Sequence, residues 1–326
     1  CQANSVHAGE EYGCVAGVAT FSHVMGMTAI LLSGLQRGNT IVALARFELE
    51  LFLQCVQKYR IRYASLVPSV IRMLARDPLV GRYDMSSLAW VSSGAAPLDA
   101  ELEEICARRL NCRLGQRWGM TELSGVGTSS RLWPDPPSVR RGATGLLWPN
   151  LEARIVDPAG GTDLGTGEAG VLLVRGPNVT TGYLNPPGVT VAALDADGWL
   201  NTGDIASFDA DGYLFITDRA KELIKYKGYQ IAPAELEAVL VSHPAVSEAV
   251  VIPSPDAEHG EVPKAFVVLE AQATPEQLLS YVAERVAPYK KVRRLEIVDH
   301  IPRSPTGKLL RRVLVERERA SAHQGE

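Results

Sequence analysis

Several short stretches of this sequence place one polar or aromatic side chain beside glycine, at a point where a strand is predicted to end. In "GQRWGMTE", Trp118 precedes Gly119, and Thr121 and Glu122 follow. A large aromatic ring next to glycine can offer a flat face to a planar heterocycle. A hydroxyl and a carboxylate just beyond it suit a phosphate and its Mg²⁺ ion. Taken alone, a core tryptophan and a surface glutamate are the more common interpretation.

Further polar groups follow turns near the middle and the end of the chain. In "WLNTGD", Asp204 follows a Thr-Gly turn, where a carboxylate can accept both hydroxyls of a ribose, although an ordinary turn aspartate is more common. In "PRSPTGKLLRR", Lys308 follows a Pro-Thr-Gly turn, which presents an ammonium group to an anion or belongs to a solvated basic tail. A third cluster is interrupted by Gly228 and does not form a regular helix. Its members are Arg219, Lys221, Lys225, Lys227 and Gln230.

The elements around the first of these stretches predict a layered α/β part. "RIRYASLVPSVIRMLAR" is typical of a strand to about Val67 followed by a helix that Pro68 opens. "SLAWVSSGAAPL" is an apolar run that ends in a small-residue turn, as at the carboxyl end of a buried strand. From about Gly142, short β-type runs between turns predict a compact antiparallel region. The helix after the small-residue turn is predicted to bury Leu98, Leu102, Ile105, Cys106 and Leu110 on one face.

After Arg219 the pattern predicts a small α+β domain. Pro233 opens a helix that closes before Pro244, and "AVSEAVVIPSP" and "PKAFVVLE" are typical of strands. In "TPEQLLSYVAERV", Thr274 is the predicted N-cap and Gln277 completes a capping box. The boundary falls near "ITDRAKELIKYKG", which is polar and charged enough for an exposed hinge.

Composition bounds the class of protein. The chain has 326 residues, 21% of them charged, and a formal net charge of −4, so it can hold two domains and gives no sign of nucleic-acid binding. Between residues 285 and 319, eleven Lys and Arg face four Asp and Glu, an asymmetry that suits a phosphate-bearing ligand or a solvated basic face. The five cysteines have no metal or disulfide spacing, which predicts a reducing, intracellular and most simply cytoplasmic setting.

Residues 12–36 contain no charged side chain, which is long enough for a membrane span. Glycines, a histidine and hydroxyls within the stretch, and the lack of a basic flank, favour a buried strand and a buried helix instead. We therefore predict no transmembrane segment. No signal peptide is visible, and the terminal "HQGE" is not a peroxisomal signal of the Ser-Lys-Leu type.

Six stretches together resemble the adenylate-forming (AMP-binding) enzymes, which include acyl- and aryl-CoA synthetases, luciferases and peptide-synthetase adenylation domains. They occur in the family's order over nearly the whole chain, and two of them look most like the 4-coumarate–CoA ligase branch. The stretches are "SSGAAPL" (92–98), "GQRWGMTE" (115–122), "GEAGVLLVRGPNVTTGYLN" (167–185), "TGD" (202–204), "DRAKELIKYKGYQIAPAELE" (218–237) and "PRSPTGK" (302–308).

The resemblance implies an α/β fold with two domains. Residues 1–217 are expected to form the C-terminal portion of a large layered α/β domain with an antiparallel β region. Residues 218–222 are expected to form a hinge, and residues 223–326 a small mobile α+β domain. Rotation about the hinge would complete the site in two different orientations.

The resemblance also implies roles for residues of the first part. Trp118 takes the place of the family's adenine-stacking tyrosine, and Arg117 stands where the 4-coumarate branch usually has glycine. His23 matches the histidine at the mouth of the acyl pocket, with Met25 in place of the aromatic residue expected there. One wall of the adenine and acyl pocket is assigned to Gly94, Ala95, Ala96 and Pro97.

The remaining roles concern phosphate, metal and ribose. Thr121 would contact the phosphate, Glu122 would hold Mg²⁺, and Asp204 would accept the ribose hydroxyls with Arg219 beside it. Lys308 would be the family's mobile lysine, whose charge meets the α-phosphate and the substrate carboxylate during adenylation. Lys221 is expected at the hinge, and Lys225 and Gln230 are expected to face the site in one domain orientation. The other nucleotide-site residues are Gly119, Met120 and Gly228.

The implied activity is that of an ATP-dependent acid–CoA ligase, which forms an acyl-adenylate and then an acyl-CoA thioester with ATP, Mg²⁺ and coenzyme A. The substrate is expected to be an aryl-propenoic acid or, as an alternative, a medium-chain or other aromatic acid, and the sequence does not decide between them. The alternatives are a carrier-loading adenylation domain and a non-catalytic nucleotide- or CoA-binding remnant. The family's phosphate loop, a Ser/Thr/Gly-rich run ending in Pro-Lys-Gly, has no match in the sequence. We therefore expect the chain to be the C-terminal part of a longer synthetase. The sequence predicts no oligomeric state.

Overall fold

The computed structural model describes residues 13–130, 139–184, 193–256, 258–303 and 309–323. The chain divides into two compact units. The larger unit comprises Cys1–Thr202 and Ala206–Ile216, and the smaller one comprises Gly203–Ile205 and Thr217–Glu326. The predicted α/β class is confirmed in both units, because each contains a sheet with helices.

The larger unit is built on a seven-stranded sheet with the order β2-β1-β3-β4-β5-β6-β7. The first five strands in this order run parallel, and the last two pairings are antiparallel. The carboxyl ends of the parallel strands therefore meet at one edge, where ligands of such sheets bind. The strands are β1 (Cys14–Gly17), β2 (Thr40–Ala43), β3 (Tyr63–Leu66), β4 (Trp90–Ser93), β5 (Arg113–Trp118), β6 (Thr128–Ser129) and β7 (Leu146–Leu147).

Three helices cover one face of this sheet: α2 (Leu49–Tyr59), α3 (Pro68–Arg76) and α4 (Ala100–Leu110) follow the short helix α1 (Ser33–Gln36). Pro68 occupies the first turn of α3, as predicted, and Asp99 caps α4 by accepting the N–H groups of Glu101 and Leu102. The predicted apolar face of α4 is wrong at Ile105, which is 41% exposed. Because each residue turns the helix by about 100°, the buried stripe is instead centred on the Leu102, Cys106 and Leu110 row.

The uncharged N-terminal stretch forms β1, then a π-helix (Met25–Leu32) that continues into α1. Within it, the Thr28 hydroxyl donates to the carbonyl of Val24 at 2.7 Å. The prediction of a buried helix holds at Ile30, which is 1% exposed, and is wrong at Leu32 and Leu35, which are 53% and 62% exposed. Every helix in the described part of the chain is too short or too polar to cross a membrane.

A four-stranded sheet with the order β11-β10-β9-β8 follows, and β8 and β9 are antiparallel. The predicted antiparallel region is thus confirmed. Its core includes Leu172, Leu200 and Leu214, together with Trp118 and Leu123 from the first sheet's edge. The strands are β8 (Glu152–Val156), β9 (Gly170–Arg175), β10 (Leu200–Phe208) and β11 (Leu214–Arg219).

The smaller unit contains a five-stranded sheet in which β13-β12-β15-β14 are antiparallel neighbours and β16 joins β15 in parallel. Thr274 and Gln277 form the predicted capping box, with each side chain bonded to the other residue's backbone N–H. The strands are β12 (Ile224–Tyr226), β13 (Tyr229–Ile231), β14 (Val246–Asp256), β15 (Gly260–Leu269) and β16 (Arg294–Ile297). The helices are α5 (Pro233–Ser242), α6 (Pro275–Ala283) and α7 (Arg311–His323).

Candidate active site

The loop at residues 94–97 leaves the carboxyl end of β4 in the larger unit. Gly94 is buried and donates its N–H to the Leu66 carbonyl at 3.1 Å, whereas the next three residues are exposed. Ala95 has a φ of 72°. This left-handed backbone costs roughly 1–2 kcal/mol for a residue with a Cβ atom. The contacts that surround the loop therefore fix a path that the sequence itself disfavours.

A buried amide holds the far end of this loop. The Gln116 side chain accepts from the N–H of Leu98 at 3.1 Å and donates to its carbonyl at 3.0 Å. The same amide donates to the carboxylate of Glu103 at 3.0 Å, and the Arg141 guanidinium pairs with that fully buried carboxylate at 2.9 Å. Sequence reasoning missed this network, because its members are far apart along the chain and carry no local signal.

Trp118 ends β5 with a side chain that is almost entirely buried. Only 9% of the residue is exposed, and its ring packs in the core of the four-stranded sheet. A Cβ atom at Gly127 would lie 2.3 Å from the ring, so glycine is needed there. The tryptophan is thus a core residue by its contacts, and stacking on adenine remains a prediction for the part of the ring that stays accessible.

The chain turns sharply after Trp118 and presents Thr121 and Glu122. A Cβ atom on Gly119 would lie 1.9 Å from the Gly125 carbonyl, so only glycine permits this close return of the backbone. Residues Thr121–Leu123 form a single 3₁₀ turn, and the N–H of Gly125 donates to the carbonyl of Met120 at 3.2 Å. Thr121 is exposed and Glu122 is half-buried, so both side chains can reach a ligand at this edge of the sheet.

Tyr183 bonds to the carboxylate of Glu122. Its hydroxyl donates to Glu122 Oε1 at 2.7 Å, and this hydrogen bond raises the pKa of Tyr183 to about 12. The N–H of Thr180 also donates to the Glu122 carbonyl, at 2.7 Å. Two bonds therefore fix this residue, one at its side chain and one at its backbone.

Asn178 fixes the rest of the same turn. Its side-chain amide donates to the carbonyls of Leu123 at 2.9 Å and Val126 at 3.3 Å. In return, the Ser124 hydroxyl donates to the Asn178 carbonyl at 3.1 Å. The motif "GPNVTTGYLN" was singled out from the sequence without roles for its members. The structure shows that the side chains of Asn178 and Tyr183 hold the turn that carries Thr121 and Glu122.

His23 precedes the π-helix and is exposed, with its Nδ1 accepting the N–H of Met25 at 3.2 Å. The sulfur of Met25 would lie 3.6 Å from a Cβ atom placed on Gly94. The start of the π-helix is thus brought against the 94–97 loop. Later in the same helix, Thr28 lies against Gly125 of the Glu122 turn. Within the larger unit, the predicted His23, loop and turn residues therefore surround one edge of the sheet.

Asp204 and Arg219 both belong to the smaller unit and form an ion pair. Arg219 Nε lies 2.7 Å from Asp204 Oδ1, and the aspartate side chain is only 4% exposed while that of the arginine is 49% exposed. Gly203 before it has a φ of 71°, which glycine adopts without strain. The arginine charge favours the ionised form of the neighbouring carboxylate, which is the form that accepts hydroxyl groups.

Asp218 is a second buried carboxylate in this unit, and sequence reasoning missed it. It accepts the N–H groups of Arg219 at 2.7 Å and Ala234 at 2.9 Å. It thereby satisfies the first turn of α5, whose own N-cap residue is an alanine without a capping side chain. Burial raises the pKa of Asp218 to about 6, against the opposing effect of these two hydrogen bonds.

Lys225 and Gln230 lie opposite each other in the β12–β13 hairpin, and both are exposed. Lys227 and Gly228 form its turn with φ values of 47° and 85°. Because paired residues of neighbouring strands share a face, the structure brings Lys225 and Gln230 together. Lys221 is exposed in the preceding turn. Lys308 lies outside the described residues.

The carboxylates of the candidate site suit an Mg²⁺ ion that is bound together with a nucleotide. Among the residues that the structure describes, no group of three or more His, Cys, Asp or Glu could hold a metal ion. Mg²⁺ characteristically takes one or two protein carboxylates and completes its shell with water and substrate phosphates. Glu122, a single carboxylate fixed by Tyr183, fits an ion that arrives with a nucleotide. A shallow concavity of about 400 Å³ on the smaller unit, lined by His243 and Tyr281 among others, contains none of the predicted site residues.

Both parts of the chain are similar to known enzyme families. The profile of AMP-binding enzymes matches residues 2–184, and that of the AMP-binding enzyme C-terminal domain matches residues 235–308. A 4-coumarate–CoA ligase 2 of Narcissus pseudonarcissus is 43% identical over 296 residues, which is 90% of this chain and 52% of the relative. A 4-coumarate–CoA ligase of Vanilla planifolia is 42% identical over 304 residues, 92% of this chain and 55% of the relative. The chain thus spans about half the length of these relatives.

Solved structures give the same result. ATP-bound MatB from Rhodopseudomonas palustris superposes with a TM-score of 0.84 at 28% identity, over 94% of this chain and 60% of that one. The o-succinylbenzoate CoA synthetase of Bacillus subtilis in complex with its acyl-adenylate superposes with a TM-score of 0.81 at 31% identity, over 94% of this chain and 61% of that one. Sequence profile, relatives and fold agree, and the chain belongs to the family of AMP-binding enzymes.

Proposed function

We propose that the protein is an ATP-dependent acid–CoA ligase. In its first step a substrate carboxylate oxygen attacks the α-phosphorus of ATP, and pyrophosphate leaves with the bonding electron pair, which gives acyl-AMP. In the second step the sulfur of CoA attacks the acyl carbon, its proton is lost to solvent, and AMP leaves. The relatives and solved structures named above include CoA ligases, which supports this reaction class.

The observation that carries the proposal is the Glu122 turn. Its carboxylate is fixed by Tyr183 at 2.7 Å, and Thr121 is exposed beside it. A hydroxyl and a single fixed carboxylate at the carboxyl edge of a parallel sheet fit a nucleotide phosphate and its cation. Mg²⁺ bound there would neutralise phosphate charge in the adenylation step.

Other residues would hold the rest of the nucleotide. Asp204, paired with Arg219, would accept the two ribose hydroxyls. Trp118 would contact the adenine, and the 94–97 loop would line the adenine and acyl sites. Lys225 and Gln230, adjacent across a hairpin, would act in one orientation of the smaller unit. The residues 218–222 would serve as the hinge between the large and small domains.

Lys308 provides the experiment, because its predicted role differs between the two steps. In the protein expressed from its complete reading frame, Lys308→Ala should slow acyl-AMP formation by about 10²–10³ or more, the value of one well-placed stabilising charge. Supplied with preformed acyl-AMP and CoA, the same variant should form thioester at close to the wild-type rate. Lys308→Arg should also fail in the first step, since a planar guanidinium does not replace a compact ammonium.

The assay follows pyrophosphate release over a panel of aryl-propenoic, aromatic and medium-chain acids. Acid-dependent release followed by thioester formation would establish the ligase. Transfer to a carrier protein in place of CoA would favour a carrier-loading adenylation domain. AMP binding without release from any acid would identify a nucleotide-binding protein that has no activity. Equal losses in both half-reactions of Lys308→Ala would contradict the role of that lysine.

A further inference from the structure

One face of the parallel sheet differs from the other. The face toward α2, α3 and α4 carries core side chains such as Ala64, Val91 and Leu114. The registers pair Tyr63 with Trp90 and Ser92 with Gly115, and paired residues point to the same side of a sheet. Because side chains alternate, the opposite face carries small, polar and aromatic residues over three strands. These residues are Tyr63, Ser65, Trp90, Ser92, Gly115 and Arg117.

The helical segment after β1 lies on this same face. Val15 pairs with Tyr63 and so points to the same side, and its side chain lies 3.9 Å from a Cβ position on Gly34 of α1. At the carboxyl edge, Met25 and the Arg117 carbonyl both approach the Cβ position of Gly94, at 3.6 and 3.9 Å. Arg117 is thus rooted beside the 94–97 loop, beneath the start of the π-helix.

The side chain of Arg117 reaches back across the sheet. Its guanidinium carbon lies 5.6 Å from the centre of the Tyr63 ring, although β4 separates their strands. The hydroxyls on this face are already bonded to each other. Tyr63 and Ser92 are 2.8 Å apart, and Ser92 donates to Ser65 at 3.1 Å. The Arg117 guanidinium thus lies over Tyr63 on the face that carries this hydroxyl pair.

The charge of Arg117 has no protein counter-ion in the described part of the chain. Its Nε is buried and donates to no acceptor there, and no carboxylate lies within 4.0 Å of its guanidinium. Arg141, by contrast, pairs with a carboxylate at 2.9 Å. An arginine side chain cannot relieve the cost of burying its charge by losing its proton, because it stays charged at any ordinary pH. A half-buried cation stacked on an aromatic ring is therefore ready for an anion from outside the protein.

We propose that Arg117 binds a second carboxylate at the far end of the acid that the enzyme activates, so that its substrates are dicarboxylic acids. This inference rests on the proposed ligase function. The reacting carboxylate would lie at the sheet edge near Thr121, and the second carboxylate would lie deeper, against the guanidinium above Tyr63. The planar guanidinium matches a carboxylate through two parallel hydrogen bonds, which a neutral group of the same shape cannot form as strongly.

The test compares 4-carboxycinnamate with 4-nitrocinnamate, two acids of nearly the same shape that differ by one negative charge. Calorimetry measures their binding to the protein from its complete reading frame, in the presence of α,β-methylene-ATP, which cannot be cleaved. The corresponding pair built on benzoate tests a shorter reach. We expect the wild-type protein to bind the dicarboxylate of at least one pair ten times more tightly or better.

Arg117→Met keeps the length of the stem and removes the charge, and it should abolish the preference while 4-nitrocinnamate binding changes less than threefold. Arg117→Lys should keep part of the preference for the dicarboxylate. That result would show that the preference depends on the positive charge and that the site is folded. The matched control is Arg113→Met, an exposed arginine on the same strand, and it should leave the preference unchanged.

The outcomes separate this inference from the ligase function. A wild-type protein without preference in either pair, or a preference that survives in Arg117→Met, overturns the role of Arg117 whatever the activity. An Arg117-dependent preference in binding supports it even if no acid releases pyrophosphate, a result that would instead count against the ligase. Pyrophosphate release from monocarboxylic acids with unchanged kcat/KM in Arg117→Met leaves the ligase intact and rejects the inference.

Discussion

Tyr183→Phe removes a single hydroxyl that bonds to Glu122 at 2.7 Å. The phenyl ring of the variant fills the same space, so the change removes the hydrogen bond to the proposed Mg²⁺ ligand and keeps the ring. If the bond orients the carboxylate, the variant should need more Mg²⁺ for adenylation and should lose little stability. If Tyr183 is only a surface side chain, neither property should change.

The size of the effect follows from the raised pKa. Tyr183 moves from 10.0 to about 12 beside the carboxylate. Two pKa units would correspond to about 2.7 kcal/mol for a group shielded from water. Tyr183 is 38% exposed, however, and water competes with such exposed interactions, which typically contribute about 1 kcal/mol or less. We therefore expect about 1 kcal/mol, or roughly a fivefold rise in the Mg²⁺ concentration at half-maximal adenylation.

The assay titrates Mg²⁺ at fixed ATP and follows pyrophosphate release. Tyr59→Phe is the matched control, because Tyr59 is 47% exposed at the end of α2 and bonds to no predicted site residue. Glu122→Gln should raise the Mg²⁺ requirement further than Tyr183→Phe. A Mg²⁺ requirement that is unchanged in Tyr183→Phe but raised in Glu122→Gln would refute the orienting role of Tyr183.

Absorbance gives a second reading that does not depend on activity. Because the folded-state pKa of Tyr183 is raised, the stabilising bond is fully present below pH 10 and is lost as the pH rises through about 12. In a difference titration of phenolate absorbance, Glu122→Gln should move one tyrosine toward pH 10. Tyr183→Phe should remove that same titration. Identical curves for wild type and Glu122→Gln would show that the bond does not form in solution.

Three further predictions concern the frame around the site. Trp118→Ala should lower the free energy of unfolding of the larger unit by about 3–5 kcal/mol, since it empties a core position, whereas Trp118→Tyr should fold and bind AMP; urea unfolding and calorimetry measure both. Gly119→Ala should abolish AMP binding because its Cβ would lie 1.9 Å from a carbonyl, while Gly81→Ala, whose Cβ would have no described atom within 4 Å, should retain it. Burial raises the pKa of Asp218 to about 6, so this group stabilises the smaller unit fully below pH 4 and loses that effect as the pH rises through 6; urea unfolding of wild type and Asp218→Asn at pH 4 to 7 should show the pH dependence only in wild type.

Local signals account for the parts of the fold that the sequence predicts correctly. Pro68 and Pro233 open helices because proline at the first turn loses no hydrogen bond, and the Thr274–Gln277 box closes on itself within four residues. The helical period of the apolar residues does not predict correctly that Ile105 is exposed. Its place on the face depends on which side of α4 meets the sheet, and that is decided by packing partners elsewhere in the chain.

In the candidate site, too, the sequence predicts local motifs but not the contacts between residues that are far apart in the chain. The motif order identifies Glu122 and the 94–97 loop, yet the groups that fix them come from distant positions. Tyr183 lies 61 residues from Glu122, and Gln116 bonds to Leu98 across 18 residues. Nothing in the spacing of these residues indicates that they meet. Only the arrangement of β5, β9 and the intervening turn brings them together, so they are visible in three dimensions and not in the sequence.

Strand β5 shows how closely the site depends on register. Gln116 points to the helix side and holds the 94–97 loop, and Arg117 points to the opposite side, above Tyr63. Trp118 then enters the core of the next sheet, and Gly119 allows the turn to Glu122. Because side chains alternate strictly along a strand, a slip of one residue would bury the guanidinium under α4 and place the amide among the serines. The antiparallel pairing with β6 prevents such a slip, since Ser130 bonds to both backbone groups of Gln116. The four consecutive residues "QRWG" can therefore lie in four different environments only because a neighbouring strand fixes their register.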